Sequence, residues 1–358
     1  MRSIVLGFVF LCIGAQTAHA ETDHTAIAQD ALTKVIRPGY NDFETKAGAL
    51  KEKTETLCAK PSEAALEAAK VAFAAAVESW SKVEIFRFGP VNQAHRYERL
   101  FFWPDPKGIG LRQVQRALLK KDETVTSPDR LVEKSVALQG LPALEYLLYG
   151  KGAEDLTSGD PETGFRCNFA LSVATGIERI AVAVAEDWRE GSAYSKTFLT
   201  PGPNDPLYRA PKDVTLELFK AFSGGIELMR DQKLGKPLGE SPERARPRLA
   251  AFWRSGLSFP NMAGNLKGVR ELFVGSGFAA IVAGESPGVE DSILFDLDRV
   301  IRILEAENTP IAEAVQEPAQ RNKLEALRVA LKSARDTASS LIAQGAGLSF
   351  GFNAMDGD

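Results

Sequence analysis

The stretch SPDRLVEKSVALQGLPALEYLLYG, Ser127–Gly150, decides how the rest of the chain is read. Ser127 can cap a helix, Pro128 suits a first turn, and Asp129 favours the positive end of the helix dipole. Apolar residues then dominate, with one break at Gly140-Leu141-Pro142. Between Val136 and Gly150 the only charged residue is Glu145. On a helix Glu145 lies beside Leu141, Leu148 and Tyr149, so its carboxylate points along the apolar stripe. A buried carboxylate needs a cation, a metal or a hydrogen-bond donor, or else keeps its proton. Spacing alone leaves two readings open: Glu145 closes a structural ion pair in a helix bundle, or it belongs to a ligand site.

Outward from that stretch, the 358 residues suffice for one or two domains with real cores. Apolar content of 44% and charged content of 25% are those of a soluble globular chain. A net charge of -4 without any Lys/Arg cluster argues against nucleic-acid binding. Met1–Ala20 reads as a secretory signal: Arg2 is the positive end, Ile4–Ile13 the apolar run, and Ala18-His19-Ala20 the cleavage site. The apolar run is too short to span a bilayer. A mature chain from about Glu21, without a transmembrane span, is therefore expected in the periplasm, free or held at the outer membrane.

Cleavage would remove Cys12 and His19. Cys58 and Cys167 remain, and two cysteines in an exported protein most simply form one disulfide. His24 and His95 are the remaining histidines, so a zinc site of two or three histidines would have to recruit the polar N-terminus.

Helical period runs through Thr25–Leu57 (with a kink expected at Pro38-Gly39), Ser62–Ile85, Leu111–Lys120, Phe165–Glu190, Lys212–Lys233, Val289–Glu307 and Ile311–Ala343. Strict alternation is nearly absent, so the expected fold is all-α, two helical-bundle halves packed around a shared interface. Phe86-Arg87-Phe88-Gly89 and Trp253-Arg254-Ser255-Gly256 are a faint echo between the halves. The Gly-, Ser- and Asp-rich segment Lys151–Thr163 is the expected joint, giving an N-terminal bundle over 21–150 and a C-terminal bundle over 151–358.

Three short patterns carry no chemistry. Gly347-Leu348-Ser349-Phe350-Gly351 has nucleophile-elbow spacing but no strand before it and no histidine after it. Ser79-Trp80-Ser81-Lys82 lacks a companion Lys-Thr-Gly element, and Gly275-Ser276-Gly277 lacks its strand and third glycine. The arginines say more. Arg87, Arg96, Arg99 and Arg254 lie among Phe86, Phe88, Phe101, Phe102, Trp103 and Trp253. Such a guanidinium packs on a ring, pairs with a carboxylate, holds an anionic ligand, or snorkels from a core. Glu84, Tyr146, Tyr149, Asp356 and Asp358 add the oxygen donors that ferric iron or calcium prefers.

Gly140–Gly150, RLFFWPD at Arg99–Asp105, FWRSGLS at Phe252–Ser258 and the ending GLSFGFNAMDGD at Gly347–Asp358 together resemble the imelysin-like family. That family's signature is Gly-x-His-x-x-Glu followed by a hydrophobic turn, and the resemblance covers most of the mature chain. It implies an exported bacterial all-α protein with a site between two helical halves. The family was first classed with metallopeptidases, and it includes iron-regulated proteins and a periplasmic component of ferrous-iron uptake. Gly140 and Glu145 carry over, but the family histidine falls on Pro142. Proline has neither a ligating lone pair nor a backbone donor, and it is expected to kink the helix and re-aim Glu145.

The resulting expectation is a periplasmic binding protein for iron, another metal or a metal chelate, acting in iron acquisition. Its candidate site is Glu145 with Glu84, Arg87, Arg99, Arg254 and Ser255, and Glu145 is the ligand if a metal binds. A metallopeptidase, and a non-catalytic partner docking to uptake components of the cell envelope, are the alternatives; Pro142 weighs against the enzyme.

Overall fold

The computed structural model describes residues 22–158 and 161–348. The expected signal peptide Met1–Ala20 and the tail from Ser349, with Asp356 and Asp358, lie outside the described residues. Within them the regular elements are all helical. The chain runs α1 (His24–Ala31), α2 (Arg37–Ala59), α3 (Glu63–Val83), α4 (Arg96–Leu100), α5 (Ile109–Lys120), α6 (Pro128–Leu131), α7 (Gly140–Tyr149) and α8 (Pro161–Trp188). It continues through α9 (Ala193–Leu199), α10 (Pro211–Glu227), α11 (Lys236–Leu238), α12 (Ser258–Gly275), α13 (Phe278–Glu285), α14 (Val289–Glu305), α15 (Ile311–Ala314) and α16 (Pro318–Gly345).

Two groups of helices share one continuous apolar core. In the first, α2 packs on α3 and α8, and α7 packs on α8. In the second, α12 packs on α10 and α14, and α16 packs on α10, α13 and α14. The groups meet chiefly where α12 crosses α3. Small residues allow that crossing. A Cβ on Gly264 would stand 2.6 Å from the Cβ of Ser81, and one on Gly268 would stand 2.0 Å from the carbonyl oxygen of Lys82. Any larger side chain would push the halves apart.

Helix α8 packs with the first group. α8 lies along α2 and α7, and its Cys167 is bonded to Cys58 at the end of α2, with the two Cα atoms 5.4 Å apart. In the polar segment after Gly150 the 3-10 turn Glu154–Thr157 packs against α2, α3 and α8, and the apolar stripe of α8 (Phe169, Val173, Ile177, Val184) is buried.

Both prolines of the expected kinks lie in the first turn of a helix. Pro38 sits in the first turn of α2, just after a π-helical segment Leu32–Ile36. Without a proline N–H the ladder slips, and the N–H of Arg37 bonds to the carbonyl of Leu32, five residues back. Pro142 lies in the first turn of α7, where a missing N–H costs nothing, so it does not bend the helix that carries Glu145. Helix α7 instead starts afresh at Gly140, whose φ of 75° separates it from the short α6 and a 3-10 turn at Val136–Leu138. A Cβ there would lie 2.2 Å from the carbonyl oxygen of Leu100, so only glycine fits.

Candidate functional site

Helix α7 fixes the site, and its C-terminal end is held. Its C-terminal carbonyls meet the guanidinium of Arg166 on α8, which donates to Tyr146 O at 2.8 Å, Leu147 O at 2.9 Å and Lys151 O at 2.9 Å. A cation is favoured at the negative end of a helix, and here it bonds carbonyls of the last turn and of the residue beyond it, Tyr146 O also accepting from the Gly150 N–H at 2.9 Å. Nothing in the sequence singled out Arg166, because its role depends on α8 folding back along α7.

Glu145 projects from α7 into the seam between the two groups and is 2% exposed. Its Oε1 accepts three hydrogen bonds, each 2.9 Å long: from the backbone N–H groups of Arg254 and Ser255 and from the Ser255 hydroxyl. These donors converge because the loop turns sharply at Phe252 (φ 56°) and Gly256 (φ 74°). Oε2 faces Arg254 Nη1 at 3.8 Å, an ion pair longer than a hydrogen bond. Burial pushes the Glu145 carboxyl above its usual range, while the Ser255 and Arg254 contacts pull it part of the way back. The carboxylate is thus an anchor for the Phe252–Ser258 loop, held by charge-assisted bonds.

Beside it lies a cavity of about 240 Å³. Pro142, Ala143, Glu145 and Tyr146 form one wall, Phe101, Trp103 and Val114 another, and Arg248 through Arg254 the third. Trp103 donates its indole N–H to Leu249 O at 3.0 Å, which ties the second wall to the third. Asp105 accepts from the N–H groups of Ile109 and Gly110, both at 2.8 Å, and so caps α5 at the rim. The Arg254 guanidinium lies 4.3 Å from the Trp253 ring centre and 5.5 Å from that of Tyr146. A guanidinium held over aromatic rings can still donate in its own plane to a planar anionic group.

Of the six predicted site residues, the structure brings together Glu145, Arg254 and Ser255. Arg87 is exposed and stacks over Tyr97, at 4.5 Å. Arg99 donates to Gln139 Oε1 at 3.1 Å and faces a separate, smaller cavity. Glu84 does not assist Glu145. It is fully buried against Lys233, whose Nζ lies 2.5 Å from Glu84 Oε2 and 2.7 Å from Asn261 Oδ1. Asn265 Nδ2 also donates to Glu84 Oε2, at 3.0 Å. Lys233 sits 5.4 Å from the ring centres of both Phe101 and Trp103, which line the cavity. It projects from a π-helical segment, Leu228–Gly235. Its one sequence signal is a lysine in an otherwise amphipathic run, too common to choose.

As a bare-metal site this arrangement fits poorly. Pro142 offers no ligand at the cavity wall, and three donors already occupy one oxygen of Glu145. Among the described residues no group of three or more His, Cys, Asp or Glu could hold a metal ion.

Comparison with known proteins follows the same lines. A sequence profile of the imelysin (peptidase M75) family matches residues 36–338. Iron-regulated protein A of Synechococcus elongatus is 23% identical over 260 residues, which is 72% of this chain and 66% of that protein. The chain therefore spans just under two thirds of that relative's length. An imelysin-like protein from Psychrobacter arcticum superposes with a TM-score of 0.73 at 17% identity, covering 92% of this chain and 97% of the other. A putative iron-regulated protein A precursor from Parabacteroides distasonis gives 0.77 at 15% identity with the same coverage of both chains. At such identities the structures speak for the fold.

Proposed function

Because the chain belongs to the imelysin family and its cavity presents Arg248 and Arg254, with no group of three or more His, Cys, Asp or Glu able to hold a metal among the described residues, we propose that it binds an iron chelate rich in carboxylates, in iron acquisition. The observation that carries this reading is Arg254. Its guanidinium lines the cavity, is stacked on Trp253 and Tyr146, and its contact with Glu145 is long. Aromatic walls suit an organic ligand shell, and the guanidinium suits its carboxylate edge. The iron arrives as cargo inside the chelate, so the protein need not supply its ligands. The names of the Synechococcus and Parabacteroides proteins support the link to iron. The Met1–Ala20 pattern and the word precursor in the second name support export, and we place the protein in the periplasm. A metallopeptidase of the family type would need a ligand where Pro142 stands.

Calorimetric titration tests the reading. Metal-stripped protein should bind ferric citrate saturably, and Arg254→Ala should weaken that binding at least about tenfold, as expected for a charge-assisted bidentate contact. Tight binding of ferrous iron or zinc alone, with none of ferric citrate, would overturn it.

A further inference from the structure

On the far side of α7 from the C-terminal Arg166 clamp lies a second cavity, of about 80 Å³, lined by Arg99, Gln139, Gly140, Ser172, Gly176 and Arg179 among others. We propose that it binds a small oxyanion of phosphate size, a site distinct from the Glu145 cavity.

Arg99 is half-buried, and among the described residues its one side-chain bond is from Nε to Gln139 Oε1. The Gln139 amide is locked in that orientation, because its Nε2 donates to Lys134 O at 3.0 Å. The terminal nitrogens of the guanidinium are therefore left to the cavity. Among the described residues it has no ion pair, and burial and the nearby charge of Arg96 both push the Arg99 pKa down. Ser172 is 1% exposed and its Oγ has no hydrogen-bond partner among the described residues, so a buried hydroxyl lines the same space unused. An orphaned buried hydroxyl is costly unless a ligand or water completes it.

The third element is the N-terminus of the ten-residue α7, which reaches the cavity at Gly140. Its cap residue Gln139 gives no side-chain hydrogen bond to the helix, so the N–H groups of Gly140 and Leu141 are not satisfied by a cap, while Pro142 has no N–H. A helix start, a guanidinium and a hydroxyl are the usual components of an oxyanion cradle. Arg179 adds positive charge at the rim, where the exposed Asp129 at 2.6 Å offsets it. The cavity holds more than one water needs and is small for anything beyond a single oxyanion group.

The test is titration of the full mature chain with inorganic phosphate at matched ionic strength, read by calorimetry. Saturable binding is expected, weakened at least about tenfold by Arg99→Ala, which removes a charge-assisted partner. Ser172→Ala should weaken it about threefold, a neutral hydrogen bond's worth, without lowering the melting temperature of the phosphate-free protein, because the hydroxyl has no partner to lose. Arg254→Ala should leave phosphate binding unchanged, which separates this site from the Glu145 cavity. Absence of saturable phosphate binding, or wild-type affinity in both Arg99→Ala and Ser172→Ala, would overturn the proposal. Should Arg99→Ala fail to fold, the Ser172→Ala result decides.

Discussion

Lys233→Met removes the cation from the buried pair at the junction of the two helical groups. Met preserves most of the lysine stem, so the lost interaction is chiefly the ammonium. Lys233 and Glu84 side chains are both 0% exposed. The substitution leaves Glu84 Oε2 with Asn265, while Oε1 has no hydrogen-bond partner among the described residues even before it. The carboxylate must then stay charged without a cation or take up a proton, and either costs. Breaking one side of such a pair destabilises by roughly 3–5 kcal/mol. The upper half of that range is expected here, because the ammonium also serves Asn261. Denaturant unfolding followed by circular dichroism measures it. The double substitution Glu84→Gln/Lys233→Met should recover at least about 2 kcal/mol of the loss, because the neutral amide still accepts from Asn265 and no unpaired charge remains. A single variant within about 1 kcal/mol of wild type, or a double variant showing additive losses, would refute the reasoning.

Two further predictions concern α7. Arg166→Ala should cost about 3 kcal/mol, since a cation bonded to several buried carbonyls disappears, and Arg166→Lys should restore less than half, because one ammonium cannot reach carbonyls that the guanidinium spans. Thermal unfolding reads both, and a lysine variant as stable as wild type would contradict the clamp. The second concerns pH. Burial holds the folded-state pKa of Glu145 above the usual 4.5, so the folded protein binds its proton more tightly than the unfolded chain. That contribution is complete below 4.5 and is lost as pH rises through the folded-state value. Stability relative to Glu145→Gln should therefore decline with rising pH above 4.5; a flat or rising difference would show that the loop donors outweigh burial.

The helices were legible because each carries its own period and stops. Glu63–Val83 follows the Ser62 cap, whose hydroxyl accepts from the Ala65 N–H, and Val289–Glu305 keeps its apolar stripe to the end. The run expected over Ile311–Ala343 breaks into α15 and α16 at Glu317-Pro318, a boundary its own proline announces. The Cys58–Cys167 bond was also legible, from cysteine arithmetic after the expected cleavage. In the site, Glu145 stood out as a lone charge in an apolar helix, and Arg254-Ser255 as the end of an aromatic patch.

What the sequence determined by itself is local: helical period, caps, the disulfide pair and a single carboxylate in an apolar stripe. Tertiary structure decided the pairings. Glu84 chose Lys233 across 149 residues, Glu145 chose the backbone of a loop 109 and 110 residues away, and Arg99 turned to a different cavity from Arg254. A charge in the sequence states that a partner is required once it is buried. Which partner satisfies it depends on how α8 folds back on α2 and how closely the glycines of α12 let it approach α3, and those distances exist only in the folded chain.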